Sequence, residues 1–274
     1  MPLTTTTTPP VTDAGLARWL AARAGQLLLD LRAELGHDDP AALRAAGDRR
    51  SHELIAGELA RWRPADAVLS EEGIDDPARL GAERVWIVDP LDGTREYGEA
   101  GRADWAVHVA LWQRCTLAAL PAPRGAGVHE GGRLVAGAVA LPAEHRLLGT
   151  DAPPPYPPMN GSPVKLAASR SRPPAFLDEL AAALGAELVP MGSAGAKIAA
   201  VICGRVDAYV HAGGQYEWDS AAPVAVATAT GLHASRIDGS ALEYNRADPR
   251  LPDLVVCRKD LAARLLAALA KLDA

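Results

Sequence analysis

Apolar positions recur at helical spacing from about Asp13 to Leu35, at Leu16, Trp19, Leu20, Leu27, Leu28, Leu31 and Leu35, which predicts an amphipathic helix. Asp38-Asp39-Pro40 reads as a loop. A second helix is expected from Asp48 or Ser51, with Leu54, Ile55, Leu59 and Trp62 inward and Pro64 ending it. The pattern then changes to short apolar runs. Ala67–Leu69 and Val85–Val88 predict buried strands, and Trp105–Trp112 and Leu134–Leu141 a longer pair joined by a Pro/Gly-rich connection, Pro121–Gly132. Beyond a Pro-rich stretch at 151–163, strands and helices alternate. Strands are expected at Val164–Ala168, Glu187–Met191, Val206–His211, Leu232–Ile237 and Leu254–Cys257, and helices at Ala175–Leu184, Ala194–Ile202, Asp219–Thr230 and Asp260–Leu272. The pattern divides the chain into a tail over 1–12, expected to be disordered, an α+β part over 13–150, a connecting loop over 151–163 and an α/β part over 164–274.

Composition narrows the function. The 274 residues are 49% hydrophobic and 23% charged with a net charge of −6, ordinary for a globular chain and unsuited to polymeric nucleic acid. No run approaches the ~20 apolar residues of a membrane span, and the Thr/Pro tail lacks the basic and apolar regions of a secretory signal. Cys115, Cys203 and Cys257 are odd in number and far apart, which argues against disulfides or a zinc site and for a reducing cytoplasm.

The chemistry is concentrated where apolar strands end in acids. Glu71 follows Ala67-Val68-Leu69, Asp89 and Asp92 follow Val85-Trp86-Ile87-Val88, and Asp219 follows Trp218. Residues just past strand ends gather at one rim of a layered sheet. Carboxylates that converge there need a cation to stay ionised, and oxygen donors without His or Cys suit Mg²⁺. Pro90 fixes φ between the two Asp residues, and the turn it makes can place both carboxylates and the Leu91 carbonyl on one ion. Gly93-Thr94 would then open a helix whose free N–H groups face a phosphate. Singly, Asp92-Gly93 also reads as a turn and Asp219 as a helix cap. Dehalogenase-type phosphatases place Asp-Gly-Thr after a strand too, but with one residue between their acids, the first of them a covalent nucleophile. Here two residues intervene, one of them Pro, which favours metal ligation and direct attack by water.

Ser70-Glu71-Glu72, Trp86-Ile87-Val88-Asp89-Pro90-Leu91-Asp92-Gly93-Thr94, Gly192-Ser193-Ala194 and Trp218-Asp219-Ser220-Ala221-Ala222 together resemble the inositol monophosphatase superfamily of Mg²⁺-dependent, lithium-sensitive phosphomonoesterases. That resemblance implies an αβαβα layered sandwich, α+β then α/β, of the inositol monophosphatase/fructose-1,6-bisphosphatase type. It implies two or three Mg²⁺ ions per site, Li⁺ as an inhibitor, and a homodimer as the common assembly. Glu71, Asp89, the Leu91 carbonyl, Asp92 and Asp219 resemble the metal ligands, Glu71 also serving catalysis. Thr94 and Asp48 resemble the pair that orients the attacking water, with an N-cap role as the alternative for Asp48. The family often has a lysine in the loop before that acid; here Arg44 is the nearest cation. Leu69-Ser70-Glu71-Glu72, Thr94-Arg95-Glu96-Tyr97, Ala168-Ser169-Arg170-Ser171 and Lys197 lean toward the CysQ-type 3′(2′),5′-bisphosphate nucleotidase branch. The implied reaction removes the 3′-phosphate of adenosine 3′,5′-bisphosphate, with the sulfated nucleotide a further candidate. Gly93, Thr94, Ser169, Arg170, Gly192, Ser193, Lys197, Asp219 and Tyr244 are the expected substrate contacts, Tyr244 beside the adenine. The position where inositol-type enzymes carry a sugar-gripping glutamate reads His211-Ala212, and Gly213–Glu217 fits neither branch. His108 reads as structural, and Tyr216 and Trp218 as packing residues, with base stacking as the alternative. Inositol monophosphate, fructose 1,6-bisphosphate and a non-catalytic phosphoester-binding role remain the competing readings.

Overall fold

Capping side chains set where the first helices begin. Thr12 Oγ1 accepts from Gly15 N at 3.2 Å and starts α1, Asp13–Leu35. Asp39 Oδ1 accepts from Ala41 N and Ala42 N at 3.1 and 3.0 Å, with Pro40 at the first helical position, so α2 runs Pro40–Trp62. The second helix therefore begins eight residues before Asp48, and Asp48 lies inside it rather than at its N-cap.

The computed structural model describes residues 8–115, 131–158 and 163–272. After α2 come β1 (Ala67–Ser70), a 3₁₀ turn at Pro77–Gly81, β2 (Arg84–Asp92), α3 (Thr94–Gly98), β3 (Ala106–Arg114), β4 (Gly132–Leu141) and β5 (Arg146–Gly149). The second half holds β6 (Val164–Ser169), α4 (Leu177–Leu184), β7 (Ala186–Met191), α5 (Ala194–Ile202), β8 (Ala208–Tyr216), α6 (Glu217–Thr230), β9 (His233–Ser235), β10 (Arg250–Cys257) and α7 (Lys259–Leu269). The connection expected over Pro121–Gly132 lies, but for its last two residues, outside the described residues, as do residues 1–7 of the expected tail and 159–162 of the Pro-rich stretch. Sequence patterning missed β5, four residues at the edge of their sheet.

The first sheet has the order β1-β2-β3-β4-β5 and the second β7-β6-β8-β10-β9. Their faces are covered by three apolar clusters that make five layers. Leu16, Leu20 and Leu28 of α1 and Ile55 and Leu59 of α2 pack on Trp86, Val88, Val107 and Val109 of the first sheet. Ile198, Val201, Ala222 and Val226 of α5 and α6 fill the space between the sheets, against Ile87 and Val139 on one side and Tyr209 and Val256 on the other. Leu177 and Leu180 of α4 and Leu261 and Leu265 of α7 cover the outer face of the second sheet. The architecture is the expected αβαβα sandwich.

Close approach in the middle layer depends on small residues. A Cβ at Gly137 of β4 would lie 2.7 Å from the Ala225 Cβ and 3.1 Å from the Ala222 carbonyl of α6. Gly137→Val is expected to destabilise the fold by ~1–3 kcal/mol, the scale of overpacking. Urea unfolding measures it; an unchanged midpoint would show that α6 can move off the first sheet.

Candidate active site

Strand β2 carries the central residues into place. Asp89 pairs with His108 on β3 and Asp92 with Ala106, so two residues, Pro90 and Leu91, stand opposite one. This bulge breaks the strict alternation of a strand. Asp89 and Asp92 consequently offer oxygens to one place, where Asp219 joins them; one ligand atom from each lies within 4.8 Å of the others. Glu71, just past β1, is held beside β2 by its backbone N–H on the Val88 carbonyl at 3.2 Å. The Asp89, Asp92 and Asp219 carboxylates that the sequence predicts to converge do so, and Glu71 is near enough for its charge to act on Asp89.

The electrostatics of this group are unfavourable without a cation. Burial first, then the charges of Glu71, Asp92 and Asp219, pushes the Asp89 carboxyl far above the usual carboxylate range. Burial and Asp92 push Asp219 up to about 8. Glu71 rises to about 7, through desolvation by the surrounding protein and through Asp92, Glu72 and Asp48. Asp89 Oδ1 accepts from Leu91 N at 3.0 Å, but its buried Oδ2 has no donor. His108, fully buried on β3, donates Nδ1–H to the Trp218 carbonyl at 3.0 Å, and burial holds its pKa below the ordinary value. Its unpartnered Nε2 therefore presents a lone pair 3.4 Å from Asp92 Oδ2. Bare acceptors facing an all-oxygen carboxylate set fit a hard divalent cation such as Mg²⁺.

Two helix starts meet this group. Asp92 accepts from Ser193 Oγ at 2.5 Å, Ala194 N at 3.2 Å and Gly195 N at 2.6 Å, so the N-terminus of α5 binds a carboxylate of the chain itself. Gly192 N is likewise used, by Asp104 Oδ2 at 2.5 Å. A Cβ at Gly195 would stand 1.9 Å from His108 Nε2, which fixes glycine there. α6 begins two residues before Asp219, so Asp219 is its third residue rather than its N-cap; from there Oδ2 accepts from the N-cap Tyr216 N at 2.7 Å, while the carboxyl still belongs to the acid group.

Asp48, on the third turn of α2, faces α3. Thr94 Oγ1 lies 3.2 Å from Asp48 Oδ1 and 2.9 Å from the Leu91 carbonyl. Burial and Glu72 raise the Asp48 carboxyl to about 6, against the opposing effects of Thr94 and Arg44. Gly93 packs on Ser193, a Cβ there falling 3.0 Å from the Ser193 Cβ.

The outer residues are placed differently from one another. Lys197 is buried, its Nζ on the Gly192 carbonyl at 3.2 Å and over the Tyr209 ring at 5.2 Å, beside the acids rather than at the surface. Arg170 Nη2 is held by Glu96 Oε1 at 2.7 Å and Glu99 Oε1 at 3.0 Å, and Ser169 Oγ accepts from Arg172 N at 3.1 Å. Tyr244 is buried in the middle layer with its hydroxyl 3.1 Å from Ser220 Oγ. Patterning gave no role to Asp104 and Glu96, which bind Gly192 N and Arg170, or to His108 as a neighbour of Asp92. The His108 signal was available: a titratable residue inside an otherwise apolar strand.

The profile of the inositol monophosphatase family matches residues 13–120 and 126–274. A protein named 3′-phosphoadenosine 5′-phosphate phosphatase from Mycobacterium leprae is 53% identical over 93% of both chains. The 3′(2′),5′-bisphosphate nucleotidase CysQ of Escherichia coli is 30% identical over 73% of this chain and 78% of its own. The crystal structure of CysQ from Bacteroides thetaiotaomicron superposes with a TM-score of 0.72 at 26% identity, covering 89% of this chain and 96% of the other.

Carboxyls whose pKa is raised by folding bind protons more tightly folded than unfolded, so they favour the fold at acid pH and oppose it as pH climbs. In chelator, the melting temperature is expected to fall as pH rises from about 5 through about 8, the range set by Glu71 and Asp219. Added Mg²⁺ should reverse most of that fall by binding the folded form. A flat profile in chelator, or melting indifferent to Mg²⁺ at the alkaline end, would contradict a cation site at these acids.

Proposed function

This chain belongs to the inositol monophosphatase family, and on that premise we propose that it is a Mg²⁺-dependent phosphoric monoester hydrolase that removes the 3′-phosphate of adenosine 3′,5′-bisphosphate. The observation that carries the substrate is the 53% identity, over nearly the whole length of both chains, to a protein named for that reaction. The arrangement of Asp89, Asp92 and Asp219 with Glu71 supports the metal.

When bound, Mg²⁺ supplies Lewis-acid stabilisation of phosphate oxygens and acidifies a water molecule. Glu71, Asp89, Asp92, Asp219 and the Leu91 carbonyl would hold it. The carbonyl has two lone pairs and the Thr94 hydroxyl can take at most one, which leaves a lone pair for the ion. Thr94 orients the water: its one proton goes to Asp48 or to Leu91, leaving oxygen lone pairs that accept from water and aim it at phosphorus. Asp48, raised to about 6, is a base poised near neutrality at the end of that chain. Lys197 places a buried amine beside the acids, where burial lowers its pKa while Asp92, Glu96 and Asp219 favour its charged form. Two or three Mg²⁺ ions, inhibition by Li⁺, turnover of the sulfated nucleotide and a homodimer in the cytoplasm complete the reading by family resemblance. Among the described residues, no helix is long and apolar enough to cross a membrane.

Asp89→Asn is expected to lower kcat more than ~10²-fold at saturating Mg²⁺, at least the scale of one lost electrostatic donor. It should melt no lower than the parent in chelator, because the amide is neutral at every pH in a site that disfavours an ionised carboxylate, and its oxygen can still accept from Leu91 N. Asp92→Asn should lose activity equally but melt lower, since its oxygens bind the start of α5. Near-normal turnover in either variant, or a phosphoenzyme trapped on Asp89, would remove the metal-ligand assignment.

The substrate is tested by kcat/KM for adenosine 3′,5′-bisphosphate against inositol 1-phosphate and fructose 1,6-bisphosphate, each with and without Li⁺. The nucleotide is expected to lead by at least tenfold and to be inhibited by Li⁺. A preference for either sugar phosphate would reverse the assignment.

A further inference from the structure

If the substrate is a nucleotide, its base needs a surface, and the residue expected to provide one is not available. Tyr244 is buried among the middle-layer residues with its hydroxyl bonded to Ser220. Of the exposed large apolar side chains among the described residues, two are aromatic, Tyr156 and Tyr216. Tyr156 is tied to α7: Arg258 lies over its ring at 5.3 Å, and its hydroxyl accepts from Lys259 N at 2.9 Å.

Tyr216 is placed quite differently. It ends β8, and its backbone N–H is bonded to Asp219, one of the clustered acids. Its ring stacks on Trp218 with centroids 4.7 Å apart and planes 3° from parallel, and it remains 39% exposed. One face is thus held by Trp218, and the ring keeps part of its surface in solvent, with Arg250 its neighbour across the strand pair. In the same strand, no atom lies within 4 Å of a Cβ built at Gly213 or Gly214, so no side chain crowds the strand just before Tyr216. Trp218 is itself fixed, its carbonyl accepting from the buried His108. A rigid aromatic face at the edge of a phosphate-hydrolysing site is suited to a flat π-system.

We propose that the stacked Tyr216–Trp218 pair is the nucleobase platform of this enzyme, the purine lying on the outer face of Tyr216 while its 3′-phosphate sits at the carboxylates. This assignment rests on the nucleotide reading above. It makes Tyr216 a specificity residue: it holds the base and leaves the reacting atoms untouched. Stacking tolerates any base, so the platform separates nucleotides from sugar phosphates rather than adenine from guanine.

The test is steady-state kinetics on the full chain at saturating Mg²⁺, with adenosine 3′,5′-bisphosphate and with β-glycerophosphate, a monoester that has no base. Tyr216→Ala is expected to raise KM for the nucleotide about tenfold, the order of one base–aromatic stack, with kcat little changed. The kinetics of β-glycerophosphate should stay as in the parent. Tyr216→Phe should keep the nucleotide KM within about twofold, and Tyr156→Ala should change neither substrate. A parent that hydrolyses the nucleotide and a Tyr216→Ala variant with unaltered KM would overturn the platform alone. So would equal losses on both substrates, or sedimentation showing that Tyr216→Ala dissociates a dimer in which a second copy covers the ring. A parent that hydrolyses β-glycerophosphate but not the nucleotide would overturn the platform and the substrate reading together.

Discussion

Like charges brought together away from water are the constraint on which this structure depends. Asp89, Asp92 and Asp219 come from two different sheets' worth of chain, and their oxygens lie within 4.8 Å. Burial and the neighbouring charges hold Asp89 and Asp219 against ionisation. The middle helical layer offsets part of the cost. The N-terminus of α5 gives Asp92 two backbone N–H groups and a hydroxyl, and the positive end of α6 holds Asp219. What these helix ends do not offset, above all the donorless oxygen of Asp89, is the charge left for a cation.

This division of labour explains the tightness of packing around the acids. Asp92 can reach the start of α5 only if that helix lies against the first sheet, and Gly195 permits this by leaving room for His108. Gly137 does the same for α6. Donors expected to face a phosphate, at Gly192 and Ser193, are taken by Asp104 and Asp92. The C-terminal half therefore contributes to the site mainly by fixing an acid of the N-terminal half, and Lys197 and Asp219 are its direct contribution beside that acid.

Much of this was legible because local chemistry and global placement agree. The Asp-Pro-Leu-Asp string contains its own bulge, so both its spacing and its strand context pointed to a shared ligand site. The boundaries of α5 were read correctly, since Gly192-Ser193 and the Ala-rich run that follows leave little choice. The start of α2 was misread although Asp39-Pro40 is a cap followed by Pro at the first helical position; the polar residues at 48–53 obscured a helix already under way. Arg170 and Tyr244 could not be placed from patterning. Their partners, Glu96 and Ser220, are 74 and 24 residues away, and nothing local shows whether an arginine meets a phosphate or a carboxylate.

Burial alone does not mark an acid as a metal ligand, and Glu217 supplies the contrast within the same segment. It is as buried as Asp89, and burial pushes its carboxyl up to about 7. Yet both of its oxygens are satisfied, by Asn245 N at 2.6 Å and Arg246 N at 2.7 Å. Arg79 closes the arrangement from the first half, bonding Asn245 Oδ1 at 2.7 Å and the Arg246 carbonyl at 2.9 Å. Glu217 thus straps the 245–246 turn to the start of α6 and holds that helix end, with Trp218 and Asp219 next in line. The two acids of Glu217-Trp218-Asp219 do different work: both oxygens of Glu217 are taken by backbone donors and anchor the 245–246 turn, while Asp219, with one backbone N–H from Tyr216, is crowded by Asp92 and Glu71 within the acid cluster. The accounting of donors, more than burial or titration, separates them.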